Sequence, residues 1–325
     1  MTLLTAIIAA AIPTAVYSLL LWWLDRYEKE PLSLIFAAFW WGAIPALALA
    51  LLVELFVLVP LEPRLLGPEV SNWSVVPLIE ELLKGLAVVG LYTWARREID
   101  GPLDGIVYGA LVGFGFSMTE NALYFLHYDN VTTLFWLRSI LFGMNHAFFT
   151  SMVGLAFGLV RHQRDPVLKG LVLACGFLLA VLFHAMHNYF VSEATTVGVV
   201  ASWLVQFVGI LVVLLVAVLA WRGERAVMER ELLDEVADGV LSIDDYQEIT
   251  SSMRRLQHQS HAMLVGGWAC FWKVRRLHHL TTELAFCKSR VRMADRYQRC
   301  DETDDLRREI IALRHALKGQ RMAWG

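Results

Sequence analysis

Charged residues are scarce over the first two thirds of the sequence. Of the 28 Lys and Arg residues, 18 lie after Trp221, as do 16 of the 31 Asp and Glu residues. The chain is 57% hydrophobic with a mean hydropathy of +0.52, whereas soluble domains are about 45–50% apolar. This composition excludes an ordinary soluble protein and predicts a chain embedded in the lipid bilayer. The tail is charged but nearly balanced, so nucleic acid is not an expected partner.

Several diagnostic motifs are also absent. The cysteines, Cys175, Cys270, Cys287 and Cys300, have no CxxC spacing, so neither a disulfide framework nor a zinc knuckle is expected. HExxH, the helix motif of many zinc peptidases, does not occur, and no Ser or Cys stands out as a nucleophile. The apolar N-terminus lacks a basic n-region and a small-residue cleavage site, which predicts a retained membrane span.

The sequence does contain several long apolar stretches. About 20 apolar residues cross a bilayer, and this length predicts seven spans. The predicted spans are 3–23, 34–59, 74–95, 103–126, 133–160, 168–192 and 197–221. We therefore expect an all-α fold, with a polytopic membrane helix bundle over residues 1–221 and a helical domain over residues 222–325.

The basic residues alternate between the loops of this bundle. The loops after the first, third, fifth and seventh spans contain Arg26, Lys29, Arg96, Arg97, Arg161, Arg164, Lys169, Arg222 and Arg225. The intervening loops have only Arg64, with Arg138 near the start of the fifth span. The positive-inside rule then predicts a multi-pass plasma-membrane protein with its N-terminus outside and its tail in the cytoplasm.

The tail after the last span is predicted to form a set of helices. We predict helices over 225–237, 246–274, 276–297 and 302–318, with a capping box formed by Ser242 and Asp245. The last helix spaces Leu306, Ile310, Leu313 and Leu317 as in a coiled coil. The histidines His258, His261, His278 and His279 are expected to be solvated and not to bind metal. The tail is expected to serve regulation or self-association into a homo-oligomer.

Charged residues inside the predicted spans are the main functional signal. Glu80, Glu81 and Lys84 lie in the third span, where a charge costs about 2.5–3.5 kcal/mol on insertion scales. Glu80 and Lys84 share a helix face, and Glu81 lies three residues from the lysine. An ion pair that only fixes helix packing would not need the second glutamate. The three residues therefore favour a functional site over a structural ion pair.

Other spans contribute polar residues of the same kind. These are Glu120 and Asn121 in the fourth span, His146 and Thr150 in the fifth, and His184, His187 and Asn188 in the sixth. A glutamate near a histidine can take a proton from water, and a histidine or asparagine can donate to an oxyanion. The same residue types also bind zinc. Intramembrane acids can instead relay protons in a non-enzymatic transporter or scaffold, although no internal repeat supports a transporter.

Four motifs resemble those of the PrsW intramembrane proteases, which form a larger group with the CAAX prenyl endopeptidases. They are Glu80-Glu81-x-x-Lys84, Phe116-x-x-x-Glu120, His146-Ala147-x-x-Thr150 and His184-x-x-x-Asn188. The run from Asp25 to Pro31 is similar to that family too, and the resemblance covers about residues 10–195. It implies a peptide-bond hydrolase of the bacterial inner membrane whose substrate is a membrane-anchored protein, such as an anti-sigma factor. Asn188 resembles the CAAX branch, since PrsW proteases often have an acid there.

We therefore expect an intramembrane endopeptidase that uses glutamate-activated water and no cofactor. Its predicted catalytic residues are Glu80, Glu81, Lys84, Glu120, His146, His184 and Asn188. One of the two adjacent glutamates is the base, tuned by the lysine, while Asn188 and His184 stabilise the oxyanion. In the alternative zinc-dependent mechanism, the ligands are Glu81, Glu120, His146 and His184. The predicted topology places these side chains in the outer half of the membrane, so cleavage is expected near the extracytoplasmic border.

Overall fold

The computed structural model describes residues 1–24, 30–61, 67–95, 98–293 and 303–321. The described residues form helices and no strand. They divide into two compact units, one ending at Ala220 and the other beginning at Trp221. Five of the basic residues used to predict the topology, Arg26, Lys29, Arg64, Arg96 and Arg97, lie outside the described residues.

Eight helices run through the described residues of the first unit. They are α1 (Leu3–Leu24), α2 (Leu32–Leu61), α3 (Pro68–Trp94), α4 (Pro102–His127), α5 (Val131–Leu134), α6 (Asn145–Leu159), α7 (Pro166–Ser192) and α8 (Thr196–Glu231), whose end enters the second unit. α2 widens into π-helical turns at Gly42–Ala46 and Glu54–Leu58. The first widened turn contains Pro45, which has no N–H to donate to the helix ladder.

Five of the seven predicted spans are confirmed as long apolar stretches. They are Leu3–Trp22, Leu32–Leu61, Val131–Leu159, Pro166–Ser192 and Thr196–Ala237. The chain is therefore a multi-pass membrane protein. The helices α3 and α4, of 27 and 26 residues, rise about 40 Å and are long enough to cross a bilayer core of about 30 Å. Their membrane crossing remains a prediction because polar residues interrupt their apolar character.

The fifth predicted span is not the continuous helix that the sequence predicted. α5 widens into a π-helix at Phe135–Leu141, and a turn precedes α6. With 15 residues, α6 rises only about 22 Å. Within the turn, a Cβ atom on Gly143 would lie 2.2 Å from the carbonyl oxygen of Ser139, so the close approach requires glycine. The break places His146 in the first turn of α6 and not in the middle of a span.

The buried centre of the first unit is α4, which packs against α1, α2 and α6. Its approach to α6 is close enough to exclude side chains. A Cβ atom on Gly105 would lie 2.1 Å from the carbonyl oxygen of Gly154, and one on Gly113 would lie 2.2 Å from that of His146. Small residues allow such backbone contact between membrane helices. The contact fixes His146 against the middle of α4.

Glu30, the last acidic residue of the run that resembles the PrsW proteases, is buried in this unit. Its Oε2 accepts a 2.5 Å hydrogen bond from the hydroxyl of Tyr108 on α4. Residues 25–29 of the same run lie outside the described residues.

The second unit contains the end of α8 and four further helices in its described residues. They are α9 (Leu233–Ala237), α10 (Ile243–Ile249), α11 (Ser252–Met293) and α12 (Thr303–Arg321). The capping box of Ser242 and Asp245 is confirmed at the start of α10. The predicted helix boundary near residue 275 is wrong, because α11 bends at Gly267, whose φ of 71° and ψ of −173° favour glycine.

The core of this unit accounts for the coiled-coil-like spacing in α12. Leu306, Ile310 and Leu317 are buried in the same apolar cluster as Leu280 and other residues of α11, and Leu313 packs against it. Glu235 on α9 joins these helices by accepting hydrogen bonds from Lys288 and Arg307. The apolar stripe of α12 is therefore used within the unit.

Two expectations about this unit are wrong. His278 is fully buried, although the tail histidines were expected to be solvated. Cys287 is disulfide-bonded, which the spacing of the cysteines did not predict.

Candidate active site

The glutamates and the lysine of α3 meet in the interior of the first unit. Lys84 is fully buried, and its Nζ lies 2.7 Å from Oε1 of Glu81 and 3.3 Å from Oε2 of Glu80. The spacings of three and four residues bring both carboxylates to the lysine on one side of the helix. The ammonium also lies 4.1 Å from the centre of the Phe116 ring on α4. The ammonium of Lys84 therefore contacts the carboxylates of two adjacent glutamates.

Glu81 is the more enclosed of the two acids. It is fully buried, and besides Lys84 its carboxylate contacts Thr150 Oγ1 at 3.0 Å and His184 Nδ1 at 2.9 Å. These partners come from α6 and α7, so this carboxylate ties three helices together. A buried charge is tolerated when it is paired and hydrogen-bonded in this way.

His146 connects Lys84 on α3 to Glu120 on α4, the third acid of the site. Its Nδ1 lies 3.1 Å from Lys84 Nζ, and its Nε2 lies 3.0 Å from Oε2 of Glu120 on α4. Its position at the start of α6, after the break in the fifth predicted span, lets it reach both helices. The two ring nitrogens thus face an ammonium on one side and a carboxylate on the other.

Arg138 is the site residue that the sequence reasoning missed. Its Nη2 lies 2.6 Å from Oε2 of Glu120, and its Nε donates to Asn121 Oδ1 at 2.8 Å. The guanidinium also stacks 3.7 Å from the centre of the Tyr124 ring. The sequence offered one signal for it, since it is the single basic residue within the apolar stretch Val131–Leu159. Its position near the start of the fifth predicted span was used only for the membrane topology.

A cavity of about 660 Å³ borders this cluster. Its polar lining includes Glu80, Glu120, Arg138, His146 and His184. Glu81 and Lys84 do not line it and have no exposed surface, whereas Glu80 is 7% exposed. The size lies within the range of about 300–1,000 Å³ that is usual for ligand pockets. Of the two adjacent glutamates, Glu80 is therefore the one that a substrate or water in the cavity can reach.

The cavity reaches the ends of several helices. It is lined by Asn72 in the second turn of α3, by Tyr128 just after α4, and by Ser192 at the end of α7. In a bundle whose spans all cross the membrane, consecutive spans run in opposite directions. The start of α3 and the ends of α4 and α7 then lie on the same side of the membrane. The charged cluster lies deeper along the helices. Glu80 is 12 residues from the start of α3, or about 18 Å along its axis.

Asn188 and His187, near the end of α7, make contacts away from the acids. The amide of Asn188 lines the cavity and donates to the backbone carbonyl of Asn72 at 3.1 Å. His187 Nδ1 lies 2.7 Å from Ser202 Oγ and 3.2 Å from the amide nitrogen of Asn145. Thus the structure brings together six of the seven predicted catalytic residues, while Asn188 is held at the rim of the cavity.

This cluster contains side chains that could bind a metal ion. Glu80, His146 and His184 are buried, and each offers one ligand atom, with these atoms within 4.8 Å of one another. Two imidazoles and a carboxylate are a usual ligand set of catalytic zinc. This set differs from the predicted one, since it contains Glu80 in place of Glu81 and does not include Glu120. The ammonium of Lys84 lies close to two of the three ligands and would repel a dication.

Comparisons with known proteins identify the family to which the chain is similar. Residues 30–221 match the family described as PrsW family intramembrane metalloprotease. Protease PrsW of Geobacillus kaustophilus is 31% identical over 165 residues, which are 51% of this chain and 70% of that protein. Protease PrsW of Bacillus subtilis is 28% identical over 188 residues, or 57% and 82% of the two chains. No solved structure matches the chain significantly.

Proposed function

Since this chain belongs to the PrsW family of intramembrane proteases, we propose that it cleaves a membrane-anchored protein by means of a glutamate-activated water molecule. The observation that carries this proposal is the difference between the two adjacent acids of α3. Glu80 faces the cavity, while Glu81 and Lys84 are enclosed behind it. A general base must reach its water, and only the first acid of the pair can do so.

In the proposed reaction, Glu80 accepts a proton from water as the oxygen attacks the carbonyl carbon of the scissile peptide bond. The proton then passes to the nitrogen of the leaving amine as the C–N bond breaks. Glu120 and His146 border the same cavity and position the water. The Nε2 of His184 lies 3.8 Å from Oε2 of Glu80, which places the ring beside the position where the oxyanion forms.

Glu81 and Lys84 serve as positioning residues in this mechanism. The contact of Glu81 with Nδ1 of His184 orients the imidazole so that its Nε2 faces Glu80. Lys84 contacts both acids and Nδ1 of His146. Asn188, at the rim of the cavity, is available for backbone groups of the bound peptide.

The substrate is proposed to be a single-span protein of the anti-sigma-factor type, cut near its extracytoplasmic border. This location follows from the positive-inside rule, applied to Arg161 and Arg164 between α6 and α7 and to Lys169 in the first turn of α7. These residues lie at the opposite ends of the helices from Ser192 and the other cavity-lining helix ends. Only a substrate anchored in the same bilayer can present its border to such a cavity.

The test is a cleavage assay in liposomes with Glu80→Gln, which keeps the shape of the side chain and removes the base. We expect a folded protein whose kcat falls by roughly a hundredfold or more, because general acid–base catalysis usually contributes about 10²- to 10⁴-fold. Glu69→Gln is the matched control, because Glu69 is exposed in the first turn of the same helix and does not line the cavity. Wild-type cleavage by Glu80→Gln would refute the proposed base.

A zinc-dependent protease is the second candidate, favoured by the grouping of Glu80, His146 and His184. These three residues would hold the ion, which would supply Lewis-acid activation of water. Because Lys84 already places a positive charge beside two of these ligands, we expect protein stripped of metal by a chelator to retain its cleavage rate. Loss of activity on chelation, restored by one equivalent of Zn²⁺, would establish the metal mechanism instead.

A further inference from the structure

A second cluster of metal-ligand side chains lies in the unit after Ala220. Glu248, His258 and His278 each offer a ligand atom, and these atoms lie within 4.8 Å of one another. Nδ1 of His258 and Nε2 of His278 both contact the same oxygen, Oε1 of Glu248, the latter at 2.8 Å. We propose that these three residues bind a divalent transition-metal ion of the zinc class. This site lies outside the region that matches the protease family.

The ligand types agree with that class of ion. Two imidazoles and one carboxylate suit zinc and its neighbours, whereas calcium and magnesium prefer oxygen ligands alone. Convergence of two imidazole nitrogens on one carboxylate oxygen brings three donors to a common point. A metal ion placed among them would replace the protons that join these donors in its absence.

On one side of the cluster a side-chain contact fixes the buried His278, and on the other side a surface pocket gives access to the ligands. Nδ1 of the fully buried His278 lies 3.0 Å from the amide nitrogen of Gln259. A side-chain amide can turn its oxygen to that nitrogen, which is the usual second partner of a metal-bound histidine. Glu248 and His258 also line a surface pocket, together with exposed His261. A fourth ligand, from water or from this histidine, can approach there.

The three ligands come from segments that the backbone brings together. Glu248 lies on α10, and the two histidines lie on opposite sides of the bend in α11 at Gly267. A bound ion would therefore cross-link α10 to both arms of α11. Since such an ion binds the folded unit and not the separated segments, it should raise the unfolding temperature.

The experiment measures metal binding by the purified full-length protein after metal removal. Titration with Co²⁺, followed by its visible absorption, and with Zn²⁺, followed by metal analysis after gel filtration, gives the number of bound equivalents. We expect His258→Ala and Glu248→Gln each to bind one equivalent less than the wild type. Zn²⁺ should raise the Tm of the wild type by more than that of either variant.

His279→Ala is the matched control, because it removes a nearby histidine whose side chain is 49% exposed and lies outside the cluster. It should bind as many equivalents as the wild type. The count is independent of the α3 site, which is intact in all these proteins, and it does not depend on cleavage activity. Equal binding by the wild type and His258→Ala, or no metal bound by the wild type, would overturn the proposal.

Discussion

At the scale of single residues, the site depends on a difference in burial between neighbours. A lone charge at the centre of a membrane helix costs several kcal/mol, so Glu81 and Lys84 are retained as a paired, hydrogen-bonded unit. Breaking such a pair leaves an uncompensated buried charge and costs about 3–5 kcal/mol. Glu80 has the weaker contact with the lysine, 3.3 Å against 2.7 Å, and is the acid that borders the cavity.

Arg138 gives a prediction at the same scale. It holds Glu120, which in turn contacts His146. A hydrogen bond to a charged group contributes about 1.5–3 kcal/mol, so Arg138→Gln should lower kcat roughly 10- to 100-fold. The KM should change less, because the guanidinium acts through Glu120 in the proposed mechanism. Kinetics with a peptide substrate in liposomes would separate the two constants.

Arg138→Lys is the informative control for that prediction. It keeps the positive charge near Glu120 but lacks the planar fork that also reaches Asn121. Partial recovery of kcat is therefore expected. An unchanged kcat in Arg138→Gln would show that Glu120 and His146 keep their places without the arginine.

At the scale of elements, the site depends on helices that approach closely or break. The contact between α4 and α6 leaves no room for a Cβ atom on Gly113, which would meet the carbonyl oxygen of His146 at 2.2 Å. Overpacking of this kind costs about 1–3 kcal/mol. Gly113→Ala should therefore lower the Tm and, by displacing His146, the cleavage rate as well.

Gly170→Ala on α7 is the matched control, because a Cβ atom there would meet nothing within 4 Å. Alanine is the better helix former, so this variant should be as stable and as active as the wild type. Unaltered stability and activity of Gly113→Ala would mean that α4 and α6 can separate without cost to the site.

The helices also differ in how far the sequence could predict them. Apolar length alone identified α1, α2, α7 and α8, because membrane helices need about 20 apolar residues. It could not locate the break before Asn145, since Phe135–Leu141 and α6 belong to one apolar stretch, Val131–Leu159. The close approach at Gly143 within the break is a matter of packing. The bend at Gly267 was missed for a similar reason, because a glycine inside a helical pattern is usually tolerated.

The same limit applies to the site. The spacing of Glu80, Glu81 and Lys84 predicted their meeting on one helix face, because three- and four-residue spacings are local geometry. Which glutamate faces the cavity depends on α6 and α7 packing over Glu81, a long-range fact that no local pattern contains. The contact of Arg138 with Glu120 is of the same kind.

At the scale of the whole molecule, the orientation in the membrane decides where a substrate is cut. Arg161 and Arg164 lie between α6 and α7, with Lys169 in the first turn of α7, and the positive-inside rule predicts that this end of the helices faces the cytoplasm. The cavity reaches the other ends of the helices, at Asn72 and Ser192. One observation points the other way, because Cys287 is disulfide-bonded and disulfides are rare in the cytosol.

Single cysteines in a cysteine-free background can decide between these orientations. Ser192→Cys lies at the cavity end and His162→Cys in the link between α6 and α7, and both positions are exposed. In intact cells, an impermeant thiol reagent should label the cysteine at 192 and reach the one at 162 only after the membrane is opened, because basic loops are retained in the cytoplasm. The reverse pattern would turn the cavity toward the cytoplasm and agree with an oxidised Cys287 outside. Substrate cleavage would then be expected at the cytoplasmic border.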